Sequence, residues 1–366
     1  MIYRNRIGNA YSLTSFGESH GPAMGGVIDG LPAGLPVDID DIQRQLDRRR
    51  PGQNDLTTAR HESDKVEIMS GIINGISTGA PIGFIIRNSD QHPEDYDEIA
   101  QAYRPSHADY TYDIKYRGYH DRRGGGRASA RETVCRVVAG AIARQALRLP
   151  GIDIVAYTSQ VHDIKLDLPY DKLDLTHIDD NAVRCPHQET AARMEHAILE
   201  AKDRGDTVGG VITCIARNVP AGLGEPVYGR LNASLAAAVM SINAAKGVEF
   251  GLGFGFVDKR GSEVLDHFTL KNGKTGTTTN YSGGIQGGIS NGEDIVLRIA
   301  FKPVATLMRD IATISRDGSP ATLHPRGRHD ACVVPRAVPV VEAMVAITLL
   351  DHYLQQRQQL AFNGLV

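Results

Sequence analysis

GGGRASARETVCRVVAGAIARQALR, residues 124–148, sets a glycine run and spaced arginines directly before an apolar stripe. Val134, Val137, Val138, Ala141 and Ile142 recur at helical spacing and form one face, interrupted by Gln145 and extendable to Leu149. The spacing predicts a helix over 129–148. Ser129 is placed to cap it, and Glu132 three residues later completes the pattern of a capping box. GGGR puts Arg127 and several backbone N–H groups at the helix start, a place that suits an anion.

The flanking sequence alternates strand-like and helix-like runs. Residues 7–16 and 24–28 have strand character on either side of GESHG, residues 17–21. In VDIDDIQRQLDRRR, 37–50, Ile39, Ile42 and Leu46 are helically spaced and Asp38 is a cap candidate. That helix must stop before Pro51-Gly52, so it delivers Arg48, Arg49 and Arg50 at its C-terminal end, where cations complement the dipole. Residues 64–87 hold two apolar runs separated by glycines, read as strands. Residues 88–127 are polar and turn-rich, too long for a plain connection and too rich in tyrosine for simple disorder. Strands are expected at 152–164, 207–220 and 294–307, a helix at 188–203, and a helix leading into a strand over 231–254. Residues 272–293, rich in Gly, Ser, Thr and Asn, predict a mobile loop around a short hairpin. The last helix is expected at 338–359, with Pro339 in its first turn. With no repeat and no clean linker, the chain predicts an α+β fold and a single large domain over 1–366.

Composition narrows the function. Of 366 residues, 41% are hydrophobic, enough for a substantial core. Tryptophan is absent and aromatics make up 6%, which argues against a base-stacking platform for single-stranded nucleic acid. The net charge of -3 gives no long-range pull toward nucleic acid or an anionic membrane. The four cysteines, Cys135, Cys185, Cys214 and Cys332, are far apart with no CxxC, so neither a disulfide scaffold nor a zinc site is expected. The N-terminal stretch has no apolar signal region, and no run approaches twenty apolar residues. No membrane span is therefore expected, and a cytoplasmic setting is.

Arginines crowd at 44–50, 117–136 and 326–336, each beside glycine or proline. Their forks suit phosphate and carboxylate. A solvated face of ordinary ion pairs is the alternative, and a nucleic-acid surface a third reading, although no helix-turn-helix, zinc-finger or ribonucleoprotein motif appears. The glycine runs form neither GxxxxGK[ST] nor a strand-linked GxGxxG. His20 in GESHG is either a proton donor in a tight turn or part of a polar bend. His107, in YRPSHADYTY, is either a proton-transfer group or a hydrogen-bonded loop histidine. Asp330, beside His329, either orients a histidine or acts as a base. HExxH and GxSxG are absent, and no metal is implied. The residues alone point to an enzyme acting on a small anionic, phosphorylated substrate, and leave the reaction open.

Three stretches together resemble the chorismate synthases: FGESHGPAMGGVIDGLPAG (16–34), GGGRASARETVCRVVAGAI (124–142) and GRHDACVVPRAVPVVEA (327–343). RRRPGQ, YRPSHADYTY, SINAAKGVEFG and FKPVATL are similar to family elements in the expected order. The resemblance implies a β-α-β sandwich, typically a homotetramer, that converts 5-enolpyruvylshikimate 3-phosphate to chorismate and phosphate. That anti 1,4-elimination requires reduced FMN without net oxidation. By position, His20 matches the acid that protonates the departing phosphate, His107 the histidine near the reduced flavin, and Asp330 the residue that helps deprotonate flavin N5. Arg127, Ala128, Ser129, Asn243, Ala244, Gly283, Gly284, Lys302, Pro303, Val304, Ala305, Thr306 and Arg328 match flavin-binding positions. Arg49, Arg104 and Arg131 are the expected clamps for a substrate with one phosphate and two carboxylates. Asp55 stands where relatives often carry a basic residue tied to pyridine-nucleotide binding, which weakens the case for NADPH binding and leaves room for an external flavin reductase. KPVAT replaces the more usual KPTSS and removes side-chain donors.

Overall fold

The computed structural model describes residues 2–54, 56, 62–89, 102–324, 330–362 and 364. Two antiparallel sheets enclose a helical layer. The first sheet contains β1 (Ile2–Tyr3), β2 (Arg6–Ile7), β3 (Ser12–Gly17), β4 (Ala23–Asp29), β5 (Val66–Ile68) and β6 (Ile82–Arg87), in the order β1-β2-β3-β4-β6-β5. The second contains β7 (Asp153–Val161), β8 (Ile164–Lys165), β9 (Gly210–Arg217), β10 (Ala245–Phe250) and β11 (Ile295–Phe301), in the order β8-β7-β9-β11-β10. Between them lie α1 (Ile39–Arg49), α3 (Thr133–Arg148), α5 (Leu231–Met240) and α6 (Val334–Phe362). Helices α2 (Asp109–Tyr116) and α4 (Gln188–Asp203) complete the set. α3 packs on the first sheet, α6 on the second, and the two helices pack on each other. One buried cluster runs through all three layers from Tyr11 to Leu350. This is the β-α-β sandwich expected.

Helix α6 is long and apolar enough to cross a membrane, contrary to the expectation that no run qualifies, but 89% of its apolar window is buried in the fold. A helix that is apolar all round needs partners all round, and here the second sheet, α3 and α5 supply them. It starts at Val334 rather than 338. Glu342, a deeply buried acid on this helix, accepts from Arg48 Nη1 (2.5 Å), Arg144 Nη1 (2.9 Å) and the Ala156 amide (3.0 Å). Burial pushes this carboxyl up, but Arg48 and Arg144 hold it below its usual value.

Several local expectations change. The run 7–16 is broken after Ile7, because Asp351 Oδ1 accepts the amides of Asn9, Ala10 and Tyr11 at 2.7–3.1 Å and bends the chain. The capping box at 129–132 does not close. Ser129 Oγ accepts from the Arg131 amide, the first turn is a 3-10 helix (Ala130–Glu132), and Glu132 is taken by Arg136 and Ser15. Leu149 does not extend the buried face; it is 58% exposed. Gln145 interrupts that face to exchange hydrogen bonds with the Asp38 backbone. Residues 102–127 contain α2 and a 3-10 turn (Arg123–Ala128). Residues 272–293 take part in two small hairpins, Phe268–Lys271 with Lys274–Thr277 and Ile285–Gln286 with Ile289–Ser290. A further hairpin, Ile311–Ile314 with Pro320–Leu323, had no counterpart in the pattern.

The crossing of α3 and α6 is set by Gly140, where an added Cβ would lie 2.2 Å from Ala343 Cβ. Alanine normally favours a helix interior by about 0.5–1 kcal/mol over glycine. Here the clash outweighs that gain, so Gly140→Ala lowers stability by about 1–3 kcal/mol, measurable by urea unfolding.

Candidate active site

The end of α1, the turn leading into α3, the segment before α2, the loop after β11 and the start of α6 converge on a cleft of about 380 Å³. Asp38 caps α1 through the Asp40 and Asp41 amides, and the helix ends at Arg49. Adjacent positions on a helix face different ways, so Arg48 turns inward to Glu342 and Asp179 while Arg49 turns to the cleft.

Arg49 is 3% exposed. It donates to Asp64 Oδ2 at 3.1 Å, Thr133 Oγ1 at 3.2 Å and the Ala130 carbonyl at 3.3 Å. Arg131, 4% exposed, donates to Asn88 Oδ1 at 2.8 Å, is hydrogen-bonded to Asp64 Oδ1 and stands 3.7 Å from Glu62. Arg104 makes a bidentate pair with Asp109 at 2.7 and 2.8 Å, and His107 Nδ1 shares that carboxylate at 2.7 Å. Asp330 is ion-paired with Arg336, which also donates to the Arg49 carbonyl at 3.2 Å. Lys302 Nζ donates to the Ser106 carbonyl at 2.9 Å, and burial followed by Lys246 pushes its amine down.

The cleft thus gathers His107, Asp330, Arg49, Arg104, Arg131, Ala128, Ser129, Asn243, Ala244 and Lys302 to Thr306 from the expected set. Arg127 lines an adjoining cleft of about 390 Å³ that shares Ala108, Ala128 and Asn243 with the first. Its guanidinium holds the end of β3 through Ser15 Oγ (2.9 Å) and the Gly17 carbonyl (3.2 Å). His20 does not line the cleft. It is 4% exposed, with Nδ1 3.1 Å from Ser19 Oγ. Its turn is held by Asn88, which donates to the Glu18 and Gly21 carbonyls and accepts from Arg131. One side chain therefore joins GESHG to the cleft. Gly283 and Gly284 lie outside both clefts, in a turn packed on Gly251 and Asp294. Arg328 and Asp55 lie outside the described residues.

Asp64, Glu62, Asn88 and Arg336 were missed by sequence reasoning. Arg336 lay within a noted arginine crowd. The two acids carried a weaker signal, a pair of carboxylates directly before a strand. Their partners are remote in sequence and no local spacing links them.

The walls include Pro51, Ala108, Ala128, Ala130, Val304 and Val333, small and apolar, with cations set among them. Ala244 holds a φ of 67° at the wall, a conformation costly for a non-glycine residue and found where structure imposes it. Small apolar side chains with cations alongside are the chemistry that an aromatic group with an anionic tail needs. Among the described residues no group of three His, Cys, Asp or Glu side chains is placed to hold a metal ion.

The sequence profile of the chorismate synthase family matches residues 11–354. The chain is 58% identical over 353 residues to the chorismate synthase of Bacteroides fragilis, an alignment covering 96% of this chain and 98% of that protein. It is 51% identical over 356 residues to the chorismate synthase of Opitutus terrae, covering 97% and 98%. A crystal structure of a chorismate synthase superposes with a TM-score of 0.76 at 31% identity, over 96% of this chain and 93% of that one.

Burial pushes the Asp109 carboxyl up, but hydrogen bonds from Arg104 and His107 hold it far below its usual range. A depressed carboxyl stabilises the fold above its unfolded value and loses that contribution as pH falls toward its folded one. Asp109→Asn is therefore expected to cost about 1–3 kcal/mol at neutral pH, less than a fully enclosed pair because solvent screens part of it. The deficit should shrink below about pH 4. Urea unfolding of both proteins across this range checks it.

Proposed function

Because the chain belongs to the chorismate synthase family, we propose that this cleft binds 5-enolpyruvylshikimate 3-phosphate and that His20, His107 and Asp330 serve its conversion to chorismate. The protein is an FMN-dependent lyase that eliminates phosphate from that substrate. The observation that carries the residue assignment is the convergence of Arg49, Arg104, Arg131, Arg336 and Lys302 on one cleft. A substrate with one phosphate and two carboxylates needs several fixed cations to lie against an anionic cofactor.

In the overall reaction the C3–O bond to phosphate breaks, a hydrogen leaves C6, and a second ring double bond forms. Reduced FMN, when bound, would supply the electron density that the elimination needs, with no net oxidation. The chain's part is position and protons. Arg49, Arg104 and Arg131 are assigned to the substrate's phosphate and carboxylates. Ala128, Ser129, Asn243, Ala244 and Lys302 to Thr306 are assigned to the cofactor, with Arg127 on the adjoining cleft. Gly283, Gly284 and Arg328 stay in that set on resemblance alone. On resemblance alone, since it lies outside the cleft lining, His20 would deliver a proton to the leaving phosphate from Nε2, its Nδ1 being held by Ser19. His107, oriented by Asp109, would place its ring beside the cofactor, and Asp330 would accept a proton at the cofactor's edge.

The proposal extends to the single domain and cytoplasmic setting expected from the sequence pattern, and to a homotetramer that rests on the family resemblance. It also includes a separate source of reduced flavin, because acidic Asp55 replaces a base associated with pyridine nucleotides. Purified protein given FMN and NADPH should then leave NADPH unoxidised; rapid oxidation would show that it reduces its own cofactor.

With chemically reduced FMN, the protein should release phosphate and chorismate from 5-enolpyruvylshikimate 3-phosphate. Absence of chorismate would sink the assignment. His20→Ala should bind substrate and cofactor yet lose about 100-fold or more in turnover, read by single-turnover absorbance. An unchanged rate removes His20 from acid catalysis.

A further inference from the structure

We propose that Asp64 is a positioning residue for this reaction, its single carboxylate holding Arg49 and Arg131 side by side for the anionic substrate. The inference rests on the reading of those two arginines as substrate clamps. Asp64 is wholly buried and lies outside the cleft lining, so it does not itself meet the ligand. One carboxylate oxygen takes Arg49 Nη2 and the other takes Arg131 Nη1. The two arginines come from elements far apart in sequence, the end of α1 and the turn before α3. Asp64 is the one side chain hydrogen-bonded to both guanidiniums among the described contacts.

The backbone at Asp64 is built to hold this place. Its φ is 47°, in the left-handed region, and Gln43 fixes the segment by donating to the Asp64 carbonyl (3.4 Å) and accepting from the Val66 amide (3.3 Å). Burial pushes the carboxyl up, but Arg49, then Arg131 and the more distant Arg336, draw it below its usual value. It therefore stays ionised between the two guanidiniums, whose like charges would otherwise drive them apart. Each arginine has a second tether on its far side: Thr133 and the Ala130 carbonyl for Arg49, Asn88 for Arg131. Asp64 fixes the separation between them.

A purely charge-balancing acid would behave in the opposite sense. Its removal would make the cleft more positive and tighten anion binding. A positioning acid, when removed, loosens binding although the cleft becomes more positive. Asn tolerates positive φ and keeps the shape of Asp, so Asp64→Asn separates the two. The expected result is a KM for 5-enolpyruvylshikimate 3-phosphate raised about tenfold or more, with kcat changed by less than about threefold. The penalty should shrink at least about threefold when Arg49→Met is already present, because the two act through one contact. An unchanged or lowered KM, or a penalty equal in both backgrounds, overturns the proposal. Arg49→Met alone tests the clamp: an unchanged KM there sinks the clamp reading itself, whereas a raised KM with a normal Asp64→Asn sinks only the role of Asp64. Should Asp64→Asn fail to fold, Asp64→Glu keeps the charge but displaces it by one methylene. It too must raise KM, and a parental value overturns the proposal.

Discussion

A guanidinium cannot be buried alone, and that constraint organises this protein. Desolvating a charge costs several kcal/mol unless a partner repays it. Arg49 and Arg131 are each less than 5% exposed, so the fold must bring carboxylates to them. Asp64 serves both, Glu62 stands by Arg131, Asp109 holds Arg104, and Asp330 holds Arg336. The same rule operates a layer deeper, where Glu342 gathers Arg48 and Arg144 inside the helical layer. Breaking such a pair costs on the order of 3–5 kcal/mol. The net stabilisation from an intact pair is small. Its larger effect is to fix which element lies beside which.

The Glu342 cluster shows how this fixing reaches the cleft. It ties α1, α3, α6 and β7 at one point, and Arg48 and Arg49 are neighbours on α1. Arg184 adds a second brace, donating to the Arg48 carbonyl at 2.7 Å and the Pro335 carbonyl at 2.5 Å. Those two carbonyls immediately precede Arg49 and Arg336, both of which line the cleft. The end of α1 is thus closed by side chains: Gln53 donates to the Arg48 and Arg50 carbonyls and Arg336 to that of Arg49. Carbonyls left open at a helix end become anchors for cleft cations.

Much of this was legible in the sequence. Val134, Val137, Val138 and Ile142 gave α3, and Asp38 with Pro51 bounded α1, because caps and apolar spacing are local signals. The helix at 188–203 fell where its pattern put it. What escaped was non-local or lacked an apolar stripe. α2 has no buried residue, so periodicity could not reveal it. Glu342 looked like an ordinary polar position, and only folding shows that it meets Arg48 and Arg144. The pairings of Asp64 and Arg336 are hidden for the same reason. The chemistry assigned to His20 came from family resemblance; local physics gave only a glycine-framed turn with a histidine in it.

The arginine crowds follow the same rule. A surface that tracks a nucleic-acid backbone needs exposed cations spread along a face. Here Arg49 and Arg131 are buried, Arg104 is nearly so, each is paired internally, and all three line one small cleft. Such cations are set in place during folding and need little reorganisation when an anion arrives, which is the condition for strong electrostatic stabilisation of a departing phosphate. Each of the cleft arginines Arg49, Arg104, Arg131 and Arg336 lies against an acid. On the proposed reading of the cleft, an anionic substrate would meet fixed forks at short range rather than a long-range positive field.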